Sequence, residues 1–437
     1  MQSNTATNKL TAHRGEILHF FSNPVDDKNA SWQHFEDGIL VIEDGLVHAC
    51  GDAQTLLATL PDDLPITHHK NALITPGFVD THIHYPQCEI IASYGEQLLE
   101  WLESYTFPAE LQFDDPTHAA TIAQFFIDQL LSNGTTTALV FGTVHPQSVD
   151  AFFNEAQARN LRMICGKVMM DRHAPNALLD TPESSYIESR SLIEKWHNKG
   201  RLGYAVTPRF APTSTKEQLD SARRLLKEFP DVHFQTHLSE NKKECEWVAE
   251  LFPERKNYLD VYDHHHLLGK RSLFAHGIHL QDEEWQRLAE TDSALSFCAR
   301  SNLFIGSGLF NLQQAEAFNV KVGLGTDVGG GDSFSILQTI NEAYKVQQLQ
   351  GNRLSAFQSL YLATLGGALA LDLHNEIGNF EKGKEADFIV MDYHATDLIK
   401  FKIKQCQTLE ERLFSLVMLG DDRCIRETYI LGNKYIK

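Results

Sequence analysis

The sequence predicts an α/β protein: a (β/α)8 barrel of the TIM type carrying a small β-sandwich domain built from both chain termini. Two patterns carry that prediction. Between residues 71 and 372, short apolar runs alternate eight times with helical stretches, as a parallel barrel requires. Outside that span, both ends read as short strands separated by turn signals. A third observation adds function to the frame. Histidines and carboxylates recur where the expected strands end, and strand ends are where barrels keep their chemistry.

Taken in order, Gly38–Ile42 and Leu46–Ala49 are extended runs about Asp44-Gly45, which reads as a hairpin. Near the other end, Asp387–Met391, Glu427–Leu431 and, after Gly432-Asn433, Lys434–Ile436 mirror it. Residues 1–70 and 373–437 are therefore expected to share one small β domain. The barrel is expected over 71–372, with strands at Leu73–Asp80, Thr136–Phe141, Met163–Met169, Leu202–Val206, Val232–Thr236, Ser272–Ala275, Ala294–Phe297 and Val320–Gly325. Helical stretches lie between them at Ala119–Leu131, Val149–Ala158, Lys216–Glu228 and Asp282–Glu290. Phe334–Gln350 reads as one more helix beyond the eighth strand.

Composition narrows the function classes. A chain of 437 residues that is 42% hydrophobic can bury a large core. The formal net charge of -20, with no long basic run, argues against nucleic acid or an anionic membrane as partner. The start, Met1-Gln2-Ser3-Asn4-Thr5, is polar, and no run of eighteen apolar residues follows, so no leader and no membrane span is expected. Seven scattered cysteines without a Cys-x-x-Cys pair argue against a disulfide framework and against a cysteine zinc site. The expected compartment is a reducing cytoplasm.

The chemistry begins at Pro76-Gly77-Phe78-Val79-Asp80-Thr81-His82-Ile83-His84. On a strand, side chains at i and i+2 share a face, so His82 and His84 can reach one metal ion. The fifth strand ends His237-Leu238-Ser239-Glu240, the sixth His276-Gly277, and the eighth Gly325-Thr326-Asp327. His82, His84, His237 and Asp327 make an N3O set suited to zinc or ferrous iron, with room for a water. Glu240 is placed to carry protons as general acid and base, and His276 to hydrogen-bond a hydroxide or a tetrahedral centre. Singly, each residue has a structural role open to it: a core histidine, a helix cap, a brace for Gly329–Gly331. Four sites at the ends of the first, fifth, sixth and eighth strands are hard to explain that way jointly. His264-His265-His266 is discounted because consecutive residues fan apart. The glycine run lacks dinucleotide-site spacing, and Lys167 is read as salt-bridged or snorkelling rather than as a bridge to a second metal.

These residues resemble the amidohydrolase superfamily, whose barrels carry His-x-His, His, His and Asp on strands 1, 5, 6 and 8. Finer motifs are similar to its guanine-deaminating branch. They include Tyr85-Pro86-Gln87, Leu98–Leu102, Tyr105–Glu110, Thr207–Thr213, Gln235–Glu240, Ser301–Gly308 and Gly325–Gly331. Glu381–Lys384 through Phe388 resembles the superfamily's return to its β domain. Where Cys-Pro-Thr-Ser-Asn is expected, the chain has Cys298-Ala299-Arg300-Ser301-Asn302, so Arg300 is a departure. The resemblance implies one Zn2+ per chain on His82, His84, His237 and Asp327, and a base recognised by Gln87, Arg209 and Phe210. It implies hydrolytic deamination of guanine to xanthine and ammonia, with His237 and Glu240 also facing the substrate. Glu240, Asp327 and His276 carry the chemistry in that reading, and a homodimer is the expected assembly. The alternatives are deamination of another amino-heterocycle, such as a pterin, cytosine or a triazine, or a non-catalytic scaffold.

Overall fold

The computed structural model describes residues 10–25, 30–95 and 97–436. The polar start at Met1–Thr5 lies outside the described residues. The barrel strands are Phe78–His84, Thr135–Phe141, Arg162–Gly166 (continued by Val168–Met169), Gly203–Pro208, His233–Leu238, Ser272–His276, Ala294–Phe297 and Lys321–Leu324. Consecutive strands pair in parallel from the first to the eighth.

The seam between the first and eighth strands is closed by other bonds. Thr81 Oγ1 donates to Leu324 O at 3.0 Å, and the Asp327 N–H donates to His82 O at 2.9 Å. The buried Asp80 carboxylate accepts from the Thr326 N–H at 3.1 Å and from its hydroxyl at 2.5 Å. At the N-terminal mouth, Val79, Leu139, Ile164, Ala205, Leu273 and Ala294 pack on Ala368, Ala370 and Leu371 as a plug. The other mouth is left for chemistry.

The termini form one seven-stranded sheet in the order Asn433–Lys434, Ile425–Ile430, Phe388–Asp392, Ile66–Pro76, Leu10–Phe20, Trp32–Glu43, Leu46–Asp52. Antiparallel pairing of Phe388–Asp392 with Ala72–Pro76 joins the two ends of the chain. The hairpin about Asp44-Gly45 is present.

Two features differ from expectation. The run Leu73–Asp80 is not one strand: up to Pro76 it pairs in the terminal sheet, and from Phe78 it pairs in the barrel. Gly77 is the switch, its N–H donating to Asp387 O at 3.1 Å, and a Cβ there would lie 2.1 Å from Thr136 Oγ1. The C-terminal region also carries helices, Asp397–Ile403 and Leu409–Leu419, between its strands. The helix beyond the eighth strand runs Ile336–Leu349. Among the described residues, no helix is long and apolar enough to cross a membrane.

Candidate active site

At the C-terminal mouth, the histidines of the first strand meet those of the fifth and sixth. His82 Nε2 and His84 Nε2 are 3.3 Å apart, and each lies 3.3 Å from Asp327 Oδ1. His237 Nε2 is 3.3 Å from His84 Nε2. His82, His84 and Asp327 offer atoms that all lie within 4.8 Å of one another, and His237 adjoins them through His84, close enough for these side chains to share one ion. The tautomer of His237 suits that role, because its Nδ1–H donates to Arg209 O at 2.7 Å and Nε2 keeps its lone pair. Burial lowers the pKa of all three rings, that of His84 to about 3, so they are neutral donors. Burial alone would raise Asp327, but His82 and the hydrogen bonds from His82 and His84 hold it well below the usual carboxylate range. Three neutral imidazoles and a carboxylate clustered in this way have the donor chemistry that suits a divalent cation.

Around this set, His276 Nδ1 donates to Asn302 Oδ1 at 2.8 Å, which leaves Nε2 facing Glu240 Oε2 at 3.4 Å and Asp327 Oδ2 at 3.8 Å. Glu240 Oε1 accepts from Ser307 Oγ at 3.1 Å. Burial, with the Asp327 charge adding to it, pushes the Glu240 carboxyl up to about 8. Ser239, His276 and Asp327 all have left-handed backbones, with φ of 49°, 72° and 50°. Non-glycine residues adopt this conformation at a cost, and it gathers where surrounding structure forces a functional geometry.

A cleft opens from the set, lined by His84, His237, Glu240 and Asp327 at its floor. Gln87, Arg209 and Phe210 form one end, and Leu98, Trp101, Leu102 and Thr106 form a roof. The roof is an arm of short helices between the first and second strands, with a π-turn at Leu102–Thr106. Gln87 fits because residue 329 is glycine at φ +113°; a Cβ there would lie 2.0 Å from Gln87 Oε1.

The structure thus brings together every residue singled out for metal, proton transfer and substrate. Four polar partners and the roof were not assigned roles from sequence: Glu110, Asn302, Ser307 and Glu244. Glu244 accepts from the Glu240 and Asn241 N–H groups at 2.9 and 3.0 Å. The first three lie in motifs quoted above, yet nothing in their spacing marks them.

The discounted residues lie elsewhere. The buried Lys167 ammonium pairs with Asp180 and, at 3.2 Å, with Glu188. His265 pairs with Asp220 at 2.9 Å. Arg300 donates to Asp332 at 2.6 Å and ties the short helix Ala299–Phe304 after the seventh strand to the loop after the eighth, and it is not among the residues lining the cleft. Cys298 Sγ lies near His276 and Asp327, but burial pushes its thiol pKa well up, so it is a protonated neighbour rather than a thiolate ligand.

Comparison with known proteins settles the family. The amidohydrolase family model matches residues 73–434. The chain belongs to the amidohydrolase family. Within it, the chain is 54% identical over 426 residues to the guanine deaminase of Escherichia coli K12, covering 97% of each chain. The solved E. coli guanine deaminase superposes with a TM-score of 0.95 at 53% identity, over 98% of this chain and 99% of that one. The C. acetobutylicum guanine deaminase, solved with guanine in its active site, gives a TM-score of 0.88 at 28% identity, over 98% and 100%. In this barrel His82 and His84 lie on the first strand, His237 on the fifth and His276 on the sixth, while Asp327 follows the eighth by three residues.

Proposed function

We propose that this protein hydrolyses guanine to xanthine and ammonia, with one Zn2+ per chain held by His82, His84, His237 and Asp327. The observation that carries the reading is the cluster of 3.3 Å separations at the floor of a cleft with a proton-carrying Glu240 beside it. Relatives of the same length and fold supply the substrate.

A divalent ion there lowers the pKa of its water towards neutrality and so supplies the nucleophile. The residues do the rest. Asp327 Oδ1 faces His82 and His84, while Oδ2 turns towards His276, so one oxygen can hold the ion and the other take the proton of the attacking water. Glu240, protonated near neutral pH, gives its proton to the ring nitrogen next to C2. His276 gives its Nδ1–H to Asn302, so the neutral ring presents the Nε2 lone pair to the cleft, where it can accept from the hydroxyl of the attacking water and orient it. The proton that Asp327 takes from the water passes to the amino group, the C2–N bond breaks, and ammonia leaves. Arg209 offers paired donors to the O6 and N7 acceptors, Gln87 can accept or donate, and Phe210 supplies an apolar wall.

The same proposal places the enzyme in the cytoplasm as a homodimer; seven free cysteines are consistent with a reducing compartment. The test is guanine absorbance lost and xanthine gained with protein of known metal content, beside a panel of pterin, cytosine and triazine. Metal-loaded protein that leaves guanine untouched and releases ammonia from another base refutes the assignment. Light scattering tests the dimer.

A further inference from the structure

Glu110 is fully buried, lies outside the cleft wall, and yet organises the polar end of the cleft. It ends the short helix Phe107–Glu110, in the arm that also supplies the roof. Both of its oxygens accept from a single nitrogen of Arg209, Nη1, at 2.8 and 2.9 Å. Its Oε1 also accepts from Gln87 Nε2 at 3.4 Å.

Two consequences follow from the chemistry of these groups. A carboxylate only accepts, so the Gln87 amide is turned with its nitrogen to Glu110 and its oxygen against Gly329. Engagement of Nη1 leaves the Nε/Nη2 edge of Arg209 for the cleft. That edge is a rigid pair of parallel donors, suited to two neighbouring acceptors.

We propose that Glu110 is the positioning residue for base selectivity. By holding Arg209 and the Gln87 amide in one orientation, it makes this end of the cleft select a purine with an oxo group at position 6 and discriminate against a 6-amino purine. This rests on the guanine reading, in which O6 and N7 are adjacent acceptors and an amino group at position 6 would be a donor.

The experiment compares guanine with 2,6-diaminopurine, which keeps the reacting 2-amino group and the N7 acceptor but replaces the 6-oxo acceptor by an amino donor, N1 losing its hydrogen with it. In metal-loaded Glu110→Gln, KM for guanine rises about 10- to 100-fold, the loss expected when hydrogen bonds to a charged group are misplaced. Its kcat changes by no more than about threefold. The guanine preference in kcat/KM (or in inhibition constant, where turnover of the second base is absent) narrows by about tenfold or more. Metal content stays at the parental level. Glu110→Gln with parental KM, or with equal losses on both bases through kcat alone, overturns the inference, since that is what a merely structural carboxylate gives. If Glu110→Gln does not fold, Arg209→Lys takes its place. The ammonium can still pair with Glu110 but has no fork, so undiminished guanine preference overturns the inference equally. Wild-type protein inert on guanine refutes the deaminase reading itself.

Discussion

Replacing Glu240 by Gln keeps the shape of a buried side chain and removes its proton, which separates two consequences of one carboxyl. Burial is the main reason its pKa rises from 4.5 to about 8, and the Ser307 hydroxyl only partly opposes it. Unfolded, the group ionises near 4.5; folded, it stays protonated until about 8. The native state therefore binds more protons in that window. Stability is greatest below 4.5, declines as pH rises through the interval, and levels off above 8. At pH 7 the penalty is about 3 kcal/mol, from about 1.36 kcal/mol per pKa unit.

Gln carries no such penalty. Metal-free Glu240→Gln should unfold about 3 °C later at pH 7, taking about 2.1 cal/mol/K per residue for the unfolding entropy. A bound cation favours the carboxylate, so the gain shrinks in loaded protein. Activity moves the other way. Proton transfer by a placed side chain contributes about 10²–10⁴ in rate, about 3–5 kcal/mol of barrier, so kcat falls at least about 100-fold. Metal content is unchanged, because Glu240 is not among the proposed ligands. The assay is a melting series across pH beside guanine consumption. A variant that turns over at the parental rate, or that melts below its parent at pH 7, refutes the reasoning.

Three further predictions concern other parts of the molecule. Gly329→Ala places a Cβ 2.0 Å from Gln87 Oε1 on a backbone at φ +113°. Displacing Gln87 by about 1 Å should lower kcat/KM on guanine about 100-fold with metal content intact, and a parental value would show that Gln87 is dispensable. Chelation should abolish turnover and lower the melting temperature, with zinc restoring both, because an ion that binds only the native state stabilises it; full activity in verified metal-free protein refutes the ligand assignment. Burial lowers His13, His19 and His233 each to about 4, so each is neutral when folded and contributes stability above 6.5 that is lost as pH falls towards 4. Each can contribute up to about 3 kcal/mol by about 1.36 kcal/mol per unit, and a urea midpoint that stays flat from pH 6.5 to 4 contradicts this.

The metal half of the site was legible because its residues end strands, and strands announce themselves as apolar runs. His82 and His84 share a face by the two-residue period of a strand, and His237, His276 and Asp327 each follow the next such run. The roof was not legible in the same way. Its helices are only four or five residues long, too short for a 3.6-residue period to register, and Glu110 reaches Arg209 across a sequence separation of 99. Ser307 meets Glu240 in space after a separation of 67 residues, which no local pattern records. The split of Leu73–Asp80 at Gly77 has a related cause. Residues 72–84 are all buried, so the hydrophobic pattern runs unbroken while the hydrogen-bonding partner changes from one sheet to the other. Only Pro76-Gly77 marks the change.

The barrel mouth also shows how one small region assigns different work to three buried carboxyl groups. Asp80 is pushed up to about 7 by burial, with hydrogen bonds from Thr326 and His82 pulling the other way, and it joins the first strand to the eighth. Asp327, three residues beyond the end of the eighth strand at Leu324, is held low by the histidines despite its burial, so it stays an anion able to meet a cation. Glu240 has no such partner. Its nearest polar contacts are a serine hydroxyl and one nitrogen of His276, so burial prevails and the proton stays on near neutral pH. Neighbouring groups whose surroundings drive their pKa values apart are how one pocket holds an acid and an anion at the same pH. The same contrast explains why the two are not interchangeable. An acid at 327 would leave three neutral imidazoles without their anionic partner, and an anion at 240 would have no proton to give.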